Sequence, residues 1–261
     1  MMFPLTISKG IELIQSPQLS ACPGLTHAFS TRNGGVSHGP FRSLNLAIAE
    51  GDTLKNILMN RKRFCNTLNF APSDIAQAEQ VHSNHIAIVE GSGPNQSCDA
   101  LITNRPHIFL SVKTADCAPV LLYDPIHQVV AAVHAGWRGT VKGIIANTMS
   151  VMRDHFNSNP AEIIAAIGPA MHACCYEVKN DVADQFAGEE IIRRDGRMFL
   201  DLVAAARNRL LAAGLQPGQI EESGYCTACQ ADKFYSYRRD GVLTGRMLAV
   251  IGLNNRNNGS R

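Results

Sequence analysis

The chain has 261 residues, 45% hydrophobic and 18% charged, with a formal charge of +2 at neutral pH. That length can bury a substantial core. So small a net charge provides no broad basic face for nucleic acid, and no membrane span is evident. Eight cysteines lie at irregular spacings, and residues 1–10 carry neither a basic region nor a long apolar stretch. The expectation is reduced thiols in a cytoplasmic protein rather than a disulfide framework.

In chain order, Asp52 or Thr53 offers an N-cap for a helix whose apolar face is Leu54, Ile57, Leu58, Phe64 and Leu68. Strand-like apolar runs follow at residues 86–89, 108–112, 119–123 and 129–133. Thr140 offers the start of a second helix carrying Val141, Ile144, Ile145, Met149 and Met152. After another strand-like run at residues 163–167, a third helix extends from Asp201 through Leu210 and Leu211 to Gly214, a residue suited to closing a helix. A last apolar run covers residues 247–251. Several strands in succession between helices fit an α+β fold with mixed sheets better than strict βαβ alternation. No linker or internal repeat divides the chain, so residues 1–253 read as one continuous unit, with residues 254–261 as a polar tail expected to fray.

Three short segments each place one soft or borderline metal ligand where a strand is expected to meet a loop: Gln80-Val81-His82, Ala115-Asp116-Cys117 and His134-Ala135-Gly136-Trp137-Arg138-Gly139. Two imidazoles and one thiolate form a set that zinc favours, and three protein ligands leave a fourth position for water or substrate. His82, Cys117 and His134 are therefore both the candidate metal ligands and the candidate catalytic residues. Arg32, in a turn with paired glycines, and Arg138, four residues past His134, are candidates for holding phosphate or carboxylate. Asn45 offers an amide for a base or sugar. The lone Cys226-Thr227-Ala228-Cys229 reads as structural, and the adjacent Cys174 and Cys175 as packing.

Taken together, FSTRNGGVS, SLNLA, QVHS, TADCAPVLLYDP, VVAAVHAGWRGT, IGPAMHACCYEV and CTACQADKFYSYRRDGVLTGRMLAVI resemble the YfiH-type family over residues 26–252. That family, long labelled laccase-domain or polyphenol oxidase, is regarded as purine nucleoside phosphorylases with adenosine deaminase activity. The resemblance implies an α/β/β/α layered fold related to the toxin-type cysteine deamidases. It also implies zinc on the residues matching the family's ligands, His82, Cys117 and His134. Implied substrates are nucleosides (adenosine, inosine, guanosine, methylthioadenosine) and phosphate, without nucleic acid or membrane partners; no signal of association points to an oligomeric state. The chain departs from its relatives at Ala170-Met171-His172, which is assigned no chemical role.

Coordination chemistry argues against the oxidase label, because no His-x-His pair is present to build a multicopper centre. Copper remains a substitute for zinc, given its higher intrinsic affinity. The H-x-E and P-C-x-x-C signature of nucleobase deaminases is likewise missing around His82 and His134, so any deamination must use another geometry. One rival reading makes Cys117 a nucleophile activated by His134, in a cysteine- or zinc-dependent amidase or hydrolase that edits peptidoglycan precursors. Another is a zinc-stabilised binding module.

Overall fold

The structure, a computed structural model, describes residues 2–48 and 51–254; most of the expected polar tail, residues 255–261, lies outside the described residues. Two strands at the centre, Ala118–Asp124 and Val129–Ala135, are buried at all seven positions of each. Their continuous apolar character follows from a sheet covered on both faces. They belong to a six-stranded sheet ordered Ile220–Glu222, Ile164–Ile167, Ala118–Asp124, Val129–Ala135, Ala100–Thr103 and Ile86–Ile88. A seven-stranded sheet runs Leu5–Ser8, Ile11–Ile14, Leu25–Ser30, Met247–Leu253, Phe109–Thr114, Ile75–Ala78 and Gly93–Asn95. Both mix parallel and antiparallel pairs.

The side-chain period of two divides each strand between two cores. Leu121, Tyr123, Val130 and Ala132 of the six-stranded sheet pack with Leu110, Val112, Ala249 and Ile251 of the seven-stranded sheet, so the two sheets lie face to face. The alternate residues, Val120, Leu122, Ala131 and Val133, pack against helices Ile144–Phe156 and Leu202–Ala212. Helix Leu54–Thr67 covers the far face of the seven-stranded sheet through Phe64 and Cys65. The layers are thus α/β/β/α, as the resemblance implies. A small antiparallel sheet, Glu177–Val178, Arg197–Leu200 and Ile191–Arg194, stands beside them. Among the described residues no helix is long and apolar enough to cross a membrane.

Thr53 is the N-cap of the first expected helix, its hydroxyl accepting the Asn56 N–H, but the buried face differs. Leu54 and Leu58 are exposed, while Asn60 is fully buried. The Asn60 amide donates to Ser37 Oγ and to the Ser43 and Asn45 carbonyls, and accepts from the Val36 N–H. Its burial is matched by full polar satisfaction, so the helix turns a polar residue inward. The second expected helix is broken. A short helix, Trp137–Val141, contains Thr140, and the longer Ile144–Phe156 starts only after Gly143 at φ 85. The third follows expectation: the Asp201 carboxylate accepts the Val203 and Ala204 N–H groups, and Gly214 stands at φ 102 beyond the helix end.

His27, on Leu25–Ser30, is buried, and its Nε2 accepts the Ser16 N–H at 2.9 Å. Burial brings the imidazole down to about 4. A folded value below the unfolded one makes the neutral form part of the native state, so its stability is present above about pH 6.5 and is lost as the pH falls towards 4. The expected loss is about 3 kcal/mol across that window. Urea unfolding as a function of pH should show it, and His27→Gln, which keeps an acceptor but does not titrate, should flatten the curve.

Candidate metal centre and its cleft

Strand register explains how the expected ligands converge. Val133 pairs with Ala100 on one side, and Ala135 with Ala118 on the other. One further step along the first ladder sets His134 opposite Asp99, and the His134 N–H donates to the Asp99 carbonyl at 2.8 Å. The same step on the second ladder sets Cys117 opposite Gly136. His134 and Gly136 share a face, so Cys117 becomes the diagonal neighbour of His134 across the missing side chain. A Cβ built on Gly136 would stand 3.0 Å from Cys117 Sγ and 3.2 Å from His82 Cδ2. Its φ of −75 suits any residue, so glycine is required here for room rather than for backbone freedom. Gly136→Ala is expected to weaken metal binding at least about tenfold with the melting temperature little changed; chelator competition and thermal melting would check both.

His82 arrives on a loop, at φ 57. The fully buried Asp99 carboxylate fixes that loop by accepting the consecutive N–H groups of Val81, His82 and Ser83, together with the Ser83 hydroxyl. Its Oδ1 also accepts from His134 Nδ1 at 2.8 Å, which sets the tautomer and leaves Nε2 for a ligand. Burial would raise this carboxyl; the donors from His134 and Ser83 outweigh it and hold the group well below the usual carboxylate range. Asp116, at φ 98, accepts from Thr227 Oγ1 and from the Arg238 N–H, which anchors the segment carrying Cys117.

The imidazole nitrogens of His82 and His134 and Cys117 Sγ all lie within 4.8 Å of one another. Burial alone would raise the Cys117 thiol, but His134 and His82 bring it down to about 6, so it stands as a thiolate, the form that ligates. Cys117 and Asp99 reciprocally push His134 up to about 9 against its burial. The space cleared by Gly136, the preset His134 tautomer and a donor set of two nitrogens and one sulfur fit a divalent zinc-type ion with an open position.

The trio forms one wall of a cleft of about 680 Å³ at the end of the paired sheets. Lys113 and Arg246 line it from the seven-stranded side, with Arg138 and Arg238 from neighbouring segments. Arg138 stacks on Trp137, Arg238 on Tyr176 and Arg246 on Tyr237, each within 6 Å of the ring centre. Cations backed by flat aromatic surfaces suit a ligand with an anionic end and a planar end.

Of the expected substrate contacts, Arg138 lines the cleft, whereas Arg32 and Asn45 stand outside its lining. The Arg32 guanidinium donates to the Arg42 and Ala231 carbonyls and lies over Tyr235. Asn45 donates to Asp52 and accepts the Ala47 and Arg246 N–H groups, so it shapes the segment ahead of Arg246. Sequence reasoning missed Asp99, Lys113, Tyr176, Tyr237, Arg238 and Arg246. The tract that follows Cys229, rich in arginine and tyrosine, held the signal for three of them. Cys174, Cys175, Cys226 and Cys229, expected as packing and structural residues, come together as a second group. The partner of the lone CxxC is an adjacent pair some fifty residues upstream, which spacing rules do not reveal.

Comparison with known proteins adds three findings. The family model described as multi-copper polyphenol oxidoreductase laccase matches residues 26–254. Among curated proteins, a purine nucleoside phosphorylase of Deinococcus radiodurans is 43% identical over 250 residues, covering 94% of each chain. The Escherichia coli purine nucleoside phosphorylase YfiH is 36% identical, over 91% of this chain and 97% of its own. Among solved structures, YlmD from Geobacillus stearothermophilus superposes with a TM-score of 0.88 at 33% identity, over 97% of this chain and 99% of that one.

Proposed function

The chain belongs to the laccase-described family that holds the YfiH and YlmD proteins, and from that premise we propose that it is a zinc-dependent purine nucleoside phosphorylase. The observation that carries this reading is the cleft itself, where a metal trio of two imidazoles and a thiolate, four cations and three aromatic rings face one space. His82, Cys117 and His134 would hold the ion, and Asp99 fixes two of them. Bound there, the ion supplies positive charge and an open coordination position for an oxygen ligand.

Phosphorolysis breaks the bond between C1′ and the purine nitrogen and forms one between C1′ and a phosphate oxygen. Arg138, Arg238, Arg246 and Lys113 hold the phosphate dianion and orient it towards C1′. Trp137, Tyr176 and Tyr237 offer surfaces against which the planar base stacks. Burial lowers Arg246 and Lys113, so both gain from an anionic partner. Adenosine deamination in the same cleft belongs to this proposal, with the metal trio as its centre. The oxidase chemistry of the family's label is disfavoured by the ligand inventory, since the second cluster contains no histidine.

The test is turnover of inosine and adenosine by zinc-loaded protein with and without phosphate. Ribose 1-phosphate and free base formed only with phosphate are expected, with inosine formed from adenosine. Absence of all these products would overturn the reading. A thiolate beside an imidazole also describes a cysteine nucleophile, the basis of the amidase alternative. Stoichiometric alkylation of Cys117 that abolishes activity in a zinc-free preparation would favour it.

A further inference from the structure

Away from the trio, the chain brings together four cysteines for which phosphorolysis has no use. Cys174 Sγ lies 3.4 Å from Cys226 Sγ, 3.4 Å from Cys229 Sγ and 3.8 Å from Cys175 Sγ, and Cys175 Sγ is 3.4 Å from Cys226 Sγ. All four sulfurs fall within 4.8 Å of one another. Four thiolates on a tetrahedral ion with bonds of about 2.3 Å lie about 3.8 Å apart. The observed spacings bracket that value, and they are far longer than the roughly 2.05 Å of a disulfide. A polynuclear iron–sulfur cluster would spread its cysteines more widely than this group allows.

The surroundings are those of a built ligand set. In the Cys226–Cys229 turn, burial would raise the Cys226 thiol, but the backbone at Cys229 and at His172 lies against it and draws it below the usual value. Two cations sit at the carbonyls of the cysteine-bearing loops, offsetting a centre of net charge −2. Arg194 donates to the Cys174 carbonyl at 2.6 Å, and Arg239 donates to the Thr227 and Ala228 carbonyls at 3.1 Å.

From this geometry we propose that Cys174, Cys175, Cys226 and Cys229 form a second, structural metal site, a mononuclear tetrathiolate that takes Zn²⁺ or another soft divalent ion. Binding replaces up to four S–H protons by four metal–sulfur bonds, releases those protons to solvent, and changes no oxidation state. The site clasps the loop 168–176 to the loop 224–230, which otherwise meet through the Ala170–Cys226 bridge and the Thr227 N–H to the Ala170 carbonyl. Tyr176 of the cleft wall follows Cys175 directly, and Thr227, which holds Asp116, follows Cys226. The ion would therefore brace the cleft from behind without touching substrate.

The two metal sites are separable by variant. Full-length protein loaded with Co²⁺ should bind two ions per chain, and Cys117→Ser should keep one. That remaining ion should show intense sulfur-to-cobalt charge transfer and the visible bands of a tetrahedral thiolate centre. Cys229→Ser, at an exposed sulfur, should lose that signature while keeping an ion at the trio. If Cys229→Ser fails to fold, mercurial titration of the Cys117→Ser protein gives the answer. Release of one Zn²⁺ as four thiols react supports the proposal. A Cys117→Ser protein that binds no metal, or mass spectrometry showing disulfides among the four in the reduced purified protein, overturns it. Either result leaves the phosphorylase reading to be judged by its own assay.

Discussion

Cys117→Ser is expected to lower phosphorolysis on the order of a thousand-fold, equivalent to about 4 kcal/mol of transition-state stabilisation, while the protein stays folded. The substitution changes one atom at the same position, so packing is nearly conserved. The chemistry is not conserved, because a serine hydroxyl does not ionise near neutral pH and is a poor partner for a soft or borderline ion. In the parent, burial is overcome by the two imidazoles to hold the thiol at about 6. Zinc content of the trio and kcat/KM for inosine should fall together, with the melting temperature within a few degrees of the parent. A variant that keeps zinc in the trio and more than about a tenth of its activity would remove Cys117 from the reaction.

Asp99→Asn should rank second, with metal affinity and kcat/KM each falling about 10- to 100-fold and stability falling as well. The parent carboxylate receives donors on both oxygens: His134 Nδ1 and the His82 N–H on one, the Val81 and Ser83 N–H groups and the Ser83 hydroxyl on the other. An amide has a single acceptor oxygen, so its NH2 must face either the imidazole or the Ser83 donors. One choice releases the His134 tautomer; the other strands buried donors at about 1–3 kcal/mol each. Chelator competition and urea unfolding would measure the two consequences. If Asp99→Asn bound metal like the parent and retained full activity, the carboxylate would have no part in positioning the trio.

Much of this architecture is legible before folding, for reasons that particular residues make clear. Residues 129–133 and 119–123 read as strands because burial on both faces demands unbroken apolar sequence, and both strands are found there. His82, Cys117 and His134 stand out because each is a soft or borderline donor where an apolar run is expected to meet a loop, and their nitrogen and sulfur atoms do converge. Strand Ala100–Thr103 is not among the expected runs, and with it Asp99 is missed. That aspartate matters only because register sets it beside a histidine thirty-five positions away. Helix phase fails at Asn60, which turns inward since loop carbonyls and hydroxyls await its amide. For the arginines, charge alone does not separate Arg32, engaged by backbone carbonyls, from Arg246, which reaches the cleft.

The two sheets divide the labour at the mouth of the sandwich. His134 and Cys117 are placed by strands of the six-stranded layer, while His82 is held from both layers, through Asp99 on one side and, by way of Gln80, through two hydrogen bonds to Lys113 on the other. Lys113 and Arg246 belong instead to the opposing layer, at the end of Phe109–Thr114 and just ahead of Met247–Leu253. Because the Gln80 amide donates to the Lys113 carbonyl and accepts the Lys113 N–H, a shift of either layer would carry the His82 loop and Lys113 together. The mouth is thus laced rather than hinged, and Gln80 is the stitch on which the spacing between the His82 loop and Lys113 rests.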